Sequence, residues 1–511
     1  MDFKNSPYYR VGRATDLSGS DRFLYRILEI LPGFLTWGTV LLMFVFPFFL
    51  PFFSAIFIIV FDTYWLLKTF YFSIYLYQNW IKTKHNMNVD WKGRLAHFNY
   101  DHLYHAIILP FYNESAEVGK RSIDAILNSN YDKKKIIIVL ASEEKAGEHA
   151  RKISDELEQI FKDKFANFIV TVHPNGVEGE MAGKGSNIAY AAEQLKFNLD
   201  KEKISYDNVV VSAFDIDTVV AKDYFNCLTW NFLTAEEPHK TSFQPVPFYN
   251  NNLWDTNAVS RISSASVSLL QMMQQERPDK LETFSSHSMS FRALYEIGYW
   301  QKNIVSEDSR IFWNAFLAYD GDYKVIPMSY PIYMDANLAP TFWETIKNIY
   351  KQQRRWSWGV ENVPYVLFGF IKNKKLPFNK KIAHTFLLLD SFWTRSMVSL
   401  VILLSGWFVL WFGGRSFNST VLSYNLPIIT GYLIGITMLG LFLSAVVSFG
   451  FLPPHPKHFG WKEKLYFMLQ WFLIPILVIF IGSLPSIDAQ TRLMFGRYMG
   501  FWVTPKHIKK N

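Results

Sequence analysis

The chain has 511 residues, half of them hydrophobic and 18% aromatic, which is too long for a single hydrophobic core. Its one cysteine, Cys227, excludes an internal disulfide framework and a cysteine-rich metal site. The net charge of +8 does not indicate nucleic-acid binding, because the basic residues flank apolar segments, where they would meet anionic membrane lipid.

The first long apolar stretch, residues 31–80, follows a polar, basic N-terminal segment. Residues 1–30 lack a secretory cleavage site and are predicted to be cytoplasmic. Residues 31–80 would form a helix of about 70 Å, more than twice the hydrocarbon thickness, so two transmembrane helices are expected. Pro47 and Pro51 mark the turn between them. Asp62 is either a functional intramembrane carboxylate or a structural residue near a helix end.

Residues 95–335 have the pattern of a soluble domain in which β-rich runs alternate with helical ones. Unbroken apolar strands separated by helices predict a mostly parallel sheet covered on both faces. Ligands of such α/β sheets bind at the carboxyl ends of the strands, where each of these runs ends in polar residues. Strands are predicted at His105–Leu109, Ile136–Ala141, Phe168–Val172 and Val209–Ala213, and helices at Ser115–Asn128, Glu144–Lys162 and Gly185–Leu195.

Two acidic residues, Asp215 and Asp217, follow the last of these strands. Alternation along an extended segment points both carboxylates to the same side. Hard oxygen donors at a strand end suit Mg²⁺ or Mn²⁺, which would neutralise a diphosphate leaving group. The alternative is that acidic residues end the strand only for solubility.

Two further motifs lie at predicted helix starts. Lys184, between Gly183 and Gly185, opens a helix whose N-terminus attracts anions, although a plain loop-to-helix junction explains the pattern equally well. Glu307 and Asp308 precede another helical run, either as ordinary first-turn acids or with Asp308 as a general base that deprotonates an acceptor hydroxyl.

The segment 336–396 is predicted to hold amphipathic interface helices. Phe342–Trp358 mixes basic and aromatic residues at helical spacing and contains Gln352, Arg355 and Trp356, and Ile382–Ser396 is expected to be a second interfacial helix. Residues 397–486 contain two or three membrane segments. The side of the membrane on which 487–511 lies stays open, because three full crossings would place this basic tail outside.

Taken in order, four motifs resemble those of glycosyltransferase family 2: Pro110-Phe111-Tyr112-Asn113-Glu114, Asp215-Ile216-Asp217, Ser306-Glu307-Asp308 and Gln352-x-x-Arg355-Trp356. The closest likeness is to the membrane-integrated processive synthases of cellulose, chitin and hyaluronan. The resemblance implies an α/β GT-A-type nucleotide-sugar-binding domain inserted between transmembrane helices. It also implies a cell (inner) membrane location with a cytoplasmic catalytic domain.

The resemblance also implies roles for individual residues. Asp308, with Glu307 beside it, would be the catalytic base, and Asp215 and Asp217 would hold the metal. Phe501-Trp502-Val503-Thr504-Pro505-Lys506 is similar to a gating loop that closes over bound nucleotide. The expected donor-binding residues are Pro110, Tyr112, Glu114, Glu144, Lys184, Asp215, Gln352, Arg355, Trp356, Thr504 and Lys506.

The expected reaction is an inverting transfer from a nucleotide sugar, expected to be a UDP-sugar, to a growing polysaccharide through a β-linkage. The segment Ser142-Glu143-Glu144 departs from the paired Asp of the family, so the nucleobase is open. The alternatives are transfer of one sugar to a membrane lipid carrier, a transporter with a soluble regulatory domain, and a non-catalytic membrane scaffold. The paired inverted halves of many transporters are not evident.

Overall fold

The computed structural model describes residues 3–454 and 460–505. An α/β domain lies between long apolar helices. The helices are α1 Gly19–Phe49, α2 Pro51–Met87, α3 Trp91–Leu95, α4 Ala116–Leu127, α5 Gly147–Phe161, α6 Lys184–Lys201, α7 Tyr224–Thr234, α8 Ala258–Gln275, α9 Phe291–Glu296, α10 Glu307–Ala318, α11 Phe342–Ser357, α12 Asn362–Lys372, α13 Phe378–Phe412, α14 Gly414–Asn418, α15 Val421–Phe449, α16 Trp461–Leu469, α17 Ile474–Leu477 and α18 Leu484–Met494.

One eight-stranded sheet forms the centre of the domain. Its strands are β1 Tyr104–Pro110, β2 Ile136–Glu143, β3 Asn167–His173, β4 Val209–Ala213, β5 Val219–Val220, β6 Thr241–Phe248, β7 Ser288–Ser290 and β8 Lys324–Tyr333. Their order is β3-β2-β1-β4-β7-β6-β8-β5. The pairings among β1 to β4 are parallel, whereas β7 runs antiparallel to both β4 and β6. The mostly parallel prediction therefore holds for β1 to β4, whereas in the second half β6 pairs with β8 in parallel but β7 and β5 run antiparallel to their neighbours.

Alternating side chains of the central strands build a separate core on each face of the sheet. In β1, for example, Ile108 packs into a cluster with α6 and α10, and its neighbour Ile107 packs into a cluster with α4, α5 and α7. Both side chains are fully buried. Helices on both faces explain why the strands are continuously apolar, and they leave the strand ends as the accessible edge.

Within the described ranges, five segments are long and apolar enough to cross a membrane, which indicates a membrane protein: Gly19–Phe49, Pro51–Met87, Phe378–Phe412, Val421–Phe449 and Trp461–Met494. The stretch 382–396, predicted to be an interfacial helix, is the first half of α13, and its position at the membrane interface stays a prediction. The negative charge of Asp390 in this stretch is paired, because its Oδ2 lies 3.5 Å from Lys68 Nζ of α2. Asp62 is buried within α2.

The last of the five segments differs from the others in its geometry. It is broken by a 3₁₀ turn at Gln470–Leu473 and a π-helical turn at Val478–Ser483. Near its start the ring centroid of Phe467 lies 5.6 Å from that of Trp254 in the α/β domain, and near its end Arg354 Nη1 of α11 donates to Asp488 Oδ2 at 2.9 Å.

Candidate active site

A lysine and three acidic residues meet at the carboxyl edge of the sheet. Lys184 Nζ donates to Asp215 Oδ1 at 2.7 Å and to both carboxylate oxygens of Asp308 at 2.9 Å. Glu307 Oε1 lies 3.8 Å from the same nitrogen. The structure thus brings together residues that are separated by more than 120 positions in the sequence.

Glycines on both sides of Lys184 permit this close packing. A Cβ on Gly185 would lie 3.0 Å from the Gln301 carbonyl and 3.2 Å from Cβ of Glu307. A Cβ on Gly183 would lie 2.6 Å from the ring of Phe501 in the C-terminal tail. The glycines therefore let the start of α6 touch the acidic loop on one side and the tail on the other.

Burial and charge act in opposite directions within the cluster. Burial alone would lower the pKa of Lys184, but the charges of Asp215 and Asp308 raise it well above its usual value, so the lysine is cationic. Burial, and then the charge of Asp308, raises the pKa of Glu307 to about 8. Glu307 is therefore a neutral acid near pH 7, and the adjacent Asp308 is the carboxylate that the lysine holds with two oxygens.

The loop that carries Asp308 is held from three directions. Glu361 Oε1 accepts hydrogen bonds from the backbone N–H groups of Val305 and Ser306, at 3.0 and 2.8 Å. Thr283 Oγ1 donates to the carbonyl of Asp308 at 2.6 Å. Arg310, completely buried, donates to the carbonyl of Val11 in the N-terminal segment at 3.3 Å. The start of α10 is thereby fixed relative to α6.

The two expected metal ligands are oriented by neighbouring loops. Asp217 is fully buried, and its Oδ2 accepts from the backbone N–H of Asp335 at 2.9 Å. Asp215 Oδ2 accepts from Ser285 Oγ at 2.7 Å. In the part of the chain that is described, no group of three or more His, Cys, Asp or Glu side chains could hold a metal by itself. The pair still fits Mg²⁺ or Mn²⁺, which retain water and bind substrate phosphates beside one or two carboxylates.

The helix α11 and the C-terminal tail cover the cluster. The guanidinium of Arg355 stacks on the ring of Phe501, 5.0 Å from its centroid. Trp356 lies between Tyr249 and Phe284, with both ring centroids at 6.2 Å. Gln352 is half-buried on the same helix, and Thr504 is buried in the tail. Lys506, an expected donor contact, lies outside the described residues.

The other expected donor residues lie along the same edge. Pro110 is the last residue of β1, and Glu114 closes the loop after it by accepting from the backbone N–H of Tyr112 at 2.7 Å. Glu144 follows β2 and accepts from the backbone N–H of Asn175 at 3.0 Å. These residues share the carboxyl edge of the sheet with Asp215.

Reasoning from motifs missed three residues that build the site: Ser285, Tyr249 and Glu361. Ser285 precedes Ser286, whose φ of +62° is rare for a residue other than glycine. Tyr249 comes directly after β6, at a strand end, which was the available signal. Glu361 has no local signal for its role in the site, because the loop residues that it binds, Val305 and Ser306, lie more than 50 residues away.

Comparison with known proteins decides the family. Residues 210–485, more than half of the chain, match the family model described as "Glycosyl transferase family group 2". The chain belongs to glycosyl transferase family group 2. The family predicted from the four motifs is confirmed, as is a GT-A-type α/β domain flanked by long apolar helices.

Relatives of this family 2 chain are distant. Poly-beta-1,6-N-acetyl-D-glucosamine synthase of Staphylococcus epidermidis is 25% identical over 274 residues, covering 53% of this chain and 58% of the synthase. A probable glycosyltransferase of Sulfolobus acidocaldarius is 23% identical and covers 67% of this chain and 66% of the relative. Mannosyltransferase PcManGT from Pyrobaculum calidifontis, solved with GDP-Man and Mn²⁺, aligns over 86% of this chain and 100% of that protein at 13% identity, with a TM-score of 0.41.

Proposed function

We propose that this family 2 chain transfers a sugar from a nucleoside-diphosphate sugar, expected to be a UDP-sugar, to a growing polysaccharide at the cytoplasmic face of the cell membrane. The observation that carries the proposal is Lys184, a buried cation that joins Asp215 at the metal side to Asp308 at the acceptor side. A diphosphate ester needs cationic groups at its leaving group, and a hydroxyl nucleophile needs a base. Both lie within one hydrogen-bonded cluster.

Asp308 is the proposed general base. It takes the proton of an acceptor hydroxyl, whose oxygen then forms the bond to the anomeric carbon of the donor. The bond from that carbon to the phosphate oxygen breaks, and the nucleoside diphosphate leaves with the electron pair. A single displacement inverts the anomeric configuration, so an α-linked donor gives a β-linkage. Glu307, whose pKa is raised by burial to about 8, is mostly protonated at pH 7 and supplies little competing negative charge there.

Lys184 and Arg355 are proposed to receive the charge of the leaving diphosphate. Lys184 is bound to carboxylates on both sides, so a diphosphate that draws it away would release Asp308 as a free base. Arg355 lies over the same cluster and is held against Phe501 of the tail. Asp215 and Asp217 would hold Mg²⁺ or Mn²⁺, which neutralises diphosphate charge when bound.

The position of the tail supports a specific membrane topology. The N-terminus of α1, the C-terminus of α2, the N-terminus of α13 and the C-terminus of α15 all adjoin the α/β domain. Four crossings by these helices leave the domain and the tail on one side, as the contact of Phe501 with Arg355 requires. The segment 461–494, which contacts Trp254 of the domain near its start and Arg354 of α11 near its end, would then enter the membrane without crossing it. Basic residues at the domain-side helix ends favour the cytoplasmic side.

The polymeric acceptor is proposed because the Staphylococcus epidermidis relative is a polysaccharide synthase. The experiment is a panel of UDP-, GDP- and ADP-sugars on the purified full-length chain in lipid, scored for nucleotide release and product size with Mg²⁺, Mn²⁺ or EDTA. One UDP-sugar should give metal-dependent release and a product of many sugars. Release that persists in EDTA, or in an Asp217→Ala variant, contradicts the proposed metal pair.

A further inference from the structure

Arg395 is a charged residue in α13 that the proposed transfer does not use. It is the last charged residue before an uncharged run that extends to the end of the helix at Phe412. A cation is costly in the hydrocarbon interior, and one at the border of an apolar run lies at the level of the lipid headgroups. The side chain is half-buried, so protein covers part of it.

The positive charge of Arg395 is not neutralised by the described part of the chain. Its Nη2 donates to Gln353 Oε1 at 2.9 Å, and its other N–H groups make no hydrogen bond to a described residue. Neighbouring charges are paired: Lys68 with Asp390, and Arg354 with Asp488. A guanidinium has five N–H donors in a planar fork, so most of its capacity is open to an anion.

Gln353 fixes the position of this guanidinium relative to the catalytic centre. Its side chain is only 6% exposed, and its Nε2 donates to Ser263 Oγ of α8 at 3.1 Å, which directs Oε1 toward Arg395. Gln353 lies one helical turn before Trp356 and on the same face of α11. Gln353 therefore places Arg395 about one helical turn of α11 away from Trp356.

We infer that Arg395, held by Gln353, binds the phosphate group of a membrane lipid that carries the acceptor. This inference rests on the proposed glycosyl transfer. The guanidinium fork matches a phosphate bidentately, and the position of Arg395 at the border of the apolar run is where a lipid phosphate lies. Arg355 would then bind the leaving diphosphate, and Arg395 would bind the phosphate of the acceptor lipid.

The test measures lipid binding directly, so that it does not depend on turnover. The full-length chain is placed in phosphatidylcholine nanodiscs that contain a polyprenyl phosphate, and retained lipid is measured by native mass spectrometry. Arg395→Gln should weaken retention about 10- to 100-fold, the loss expected for charge-assisted hydrogen bonds, and Arg395→Lys should lose less. Arg415→Gln, at an exposed arginine of α14, removes the same charge elsewhere and should retain the lipid normally.

A competition experiment distinguishes the acceptor lipid from bulk lipid. Excess phosphatidylglycerol should not displace the polyprenyl phosphate from the wild type; displacement would overturn the assignment to an acceptor and leave only general headgroup binding. Equal retention by Arg395→Gln and the wild type would overturn the subsite itself. UDP-sugar binding and melting temperature, measured on each variant, identify misfolding. If no donor is turned over by any variant, the proposed transfer fails while the lipid measurement still decides the subsite.

Discussion

Replacing Lys184 with Met tests the charge balance on which the site depends. The substitution keeps a long, flexible side chain but removes the cation that lies 2.7 Å from Asp215 and 2.9 Å from Asp308. Both carboxylates would then face each other and Glu307 without a counter-charge. Removing one partner of a buried ion pair costs about 3–5 kcal/mol, because the other charge stays buried.

The expected loss is at the lower end of this range. The side chain of Lys184 is 10% exposed, but those of Asp215 and Asp308 are 31% and 23% exposed, so solvent screens part of their charge. We expect a loss of about 3 kcal/mol near pH 8, which lowers the melting temperature of a domain of this size by roughly 6–12 °C.

Thermal unfolding of the purified variants in detergent measures the effect. Lys196→Met is the matched control: it removes a lysine from the same helix, but one that pairs with Asp200 on the surface, so a change within about 0.5 kcal/mol is expected. Adding Asp215→Asn and Asp308→Asn to Lys184→Met should recover most of the loss. A single variant as stable as the wild type, or a triple variant no better than the single one, would refute the reasoning.

Three further predictions concern the surroundings of the cluster. Glu361→Gln weakens the hydrogen bonds that hold the Asp308 loop, so kcat should fall about tenfold with the donor KM unchanged, and an equal rise in KM would contradict a positioning role. Phe501→Ala removes the partner of Arg355 and should raise the donor KM several-fold without lowering the melting temperature; an unchanged KM would separate the tail from donor binding. Glu307→Gln should gain stability over the wild type as pH rises from 5 to 9. The pKa of Glu307 rises from 4.5 to about 8 on folding, so the wild type loses stability as pH rises from the first value to the second. A stability difference between variant and wild type that does not change with pH would contradict a neutral Glu307.

Local sequence patterns predict the first half of the sheet well. The predicted strand Val209–Ala213 has the bounds of β4, because a short apolar run that ends in acidic residues has one simple interpretation. The helix predicted from Gly185 begins one residue earlier, at Lys184. The meeting of Lys184 and Asp215 follows from the rule that parallel strands end at one edge, whereas Asp308 joins them from the start of α10, which follows no parallel strand.

The rest depends on contacts that no local pattern encodes. The strand β7 has three residues, too few for a periodic signal, and it reverses the direction of the sheet beside β4. Asp390, within α13, is paired with Lys68, 322 positions away in the sequence. Arg10 likewise makes a contact that is distant in sequence: it donates to the carbonyl of Tyr299 at 3.0 Å and so joins the N-terminal segment to the chain that leads to the Asp308 loop.

The central claim is that Asp308 is the base of an inverting sugar transfer. The most direct measurement is single-turnover transfer by Asp308→Asn with the UDP-sugar that the donor panel selects, together with donor affinity and the anomeric configuration of the wild-type product. We expect a loss of at least about 100-fold in the transfer rate, within the range of general base catalysis, with donor affinity within a few-fold of wild type and a β-linked product. Near-normal transfer by Asp308→Asn, or an α-linked product from an α-linked donor, would contradict the account.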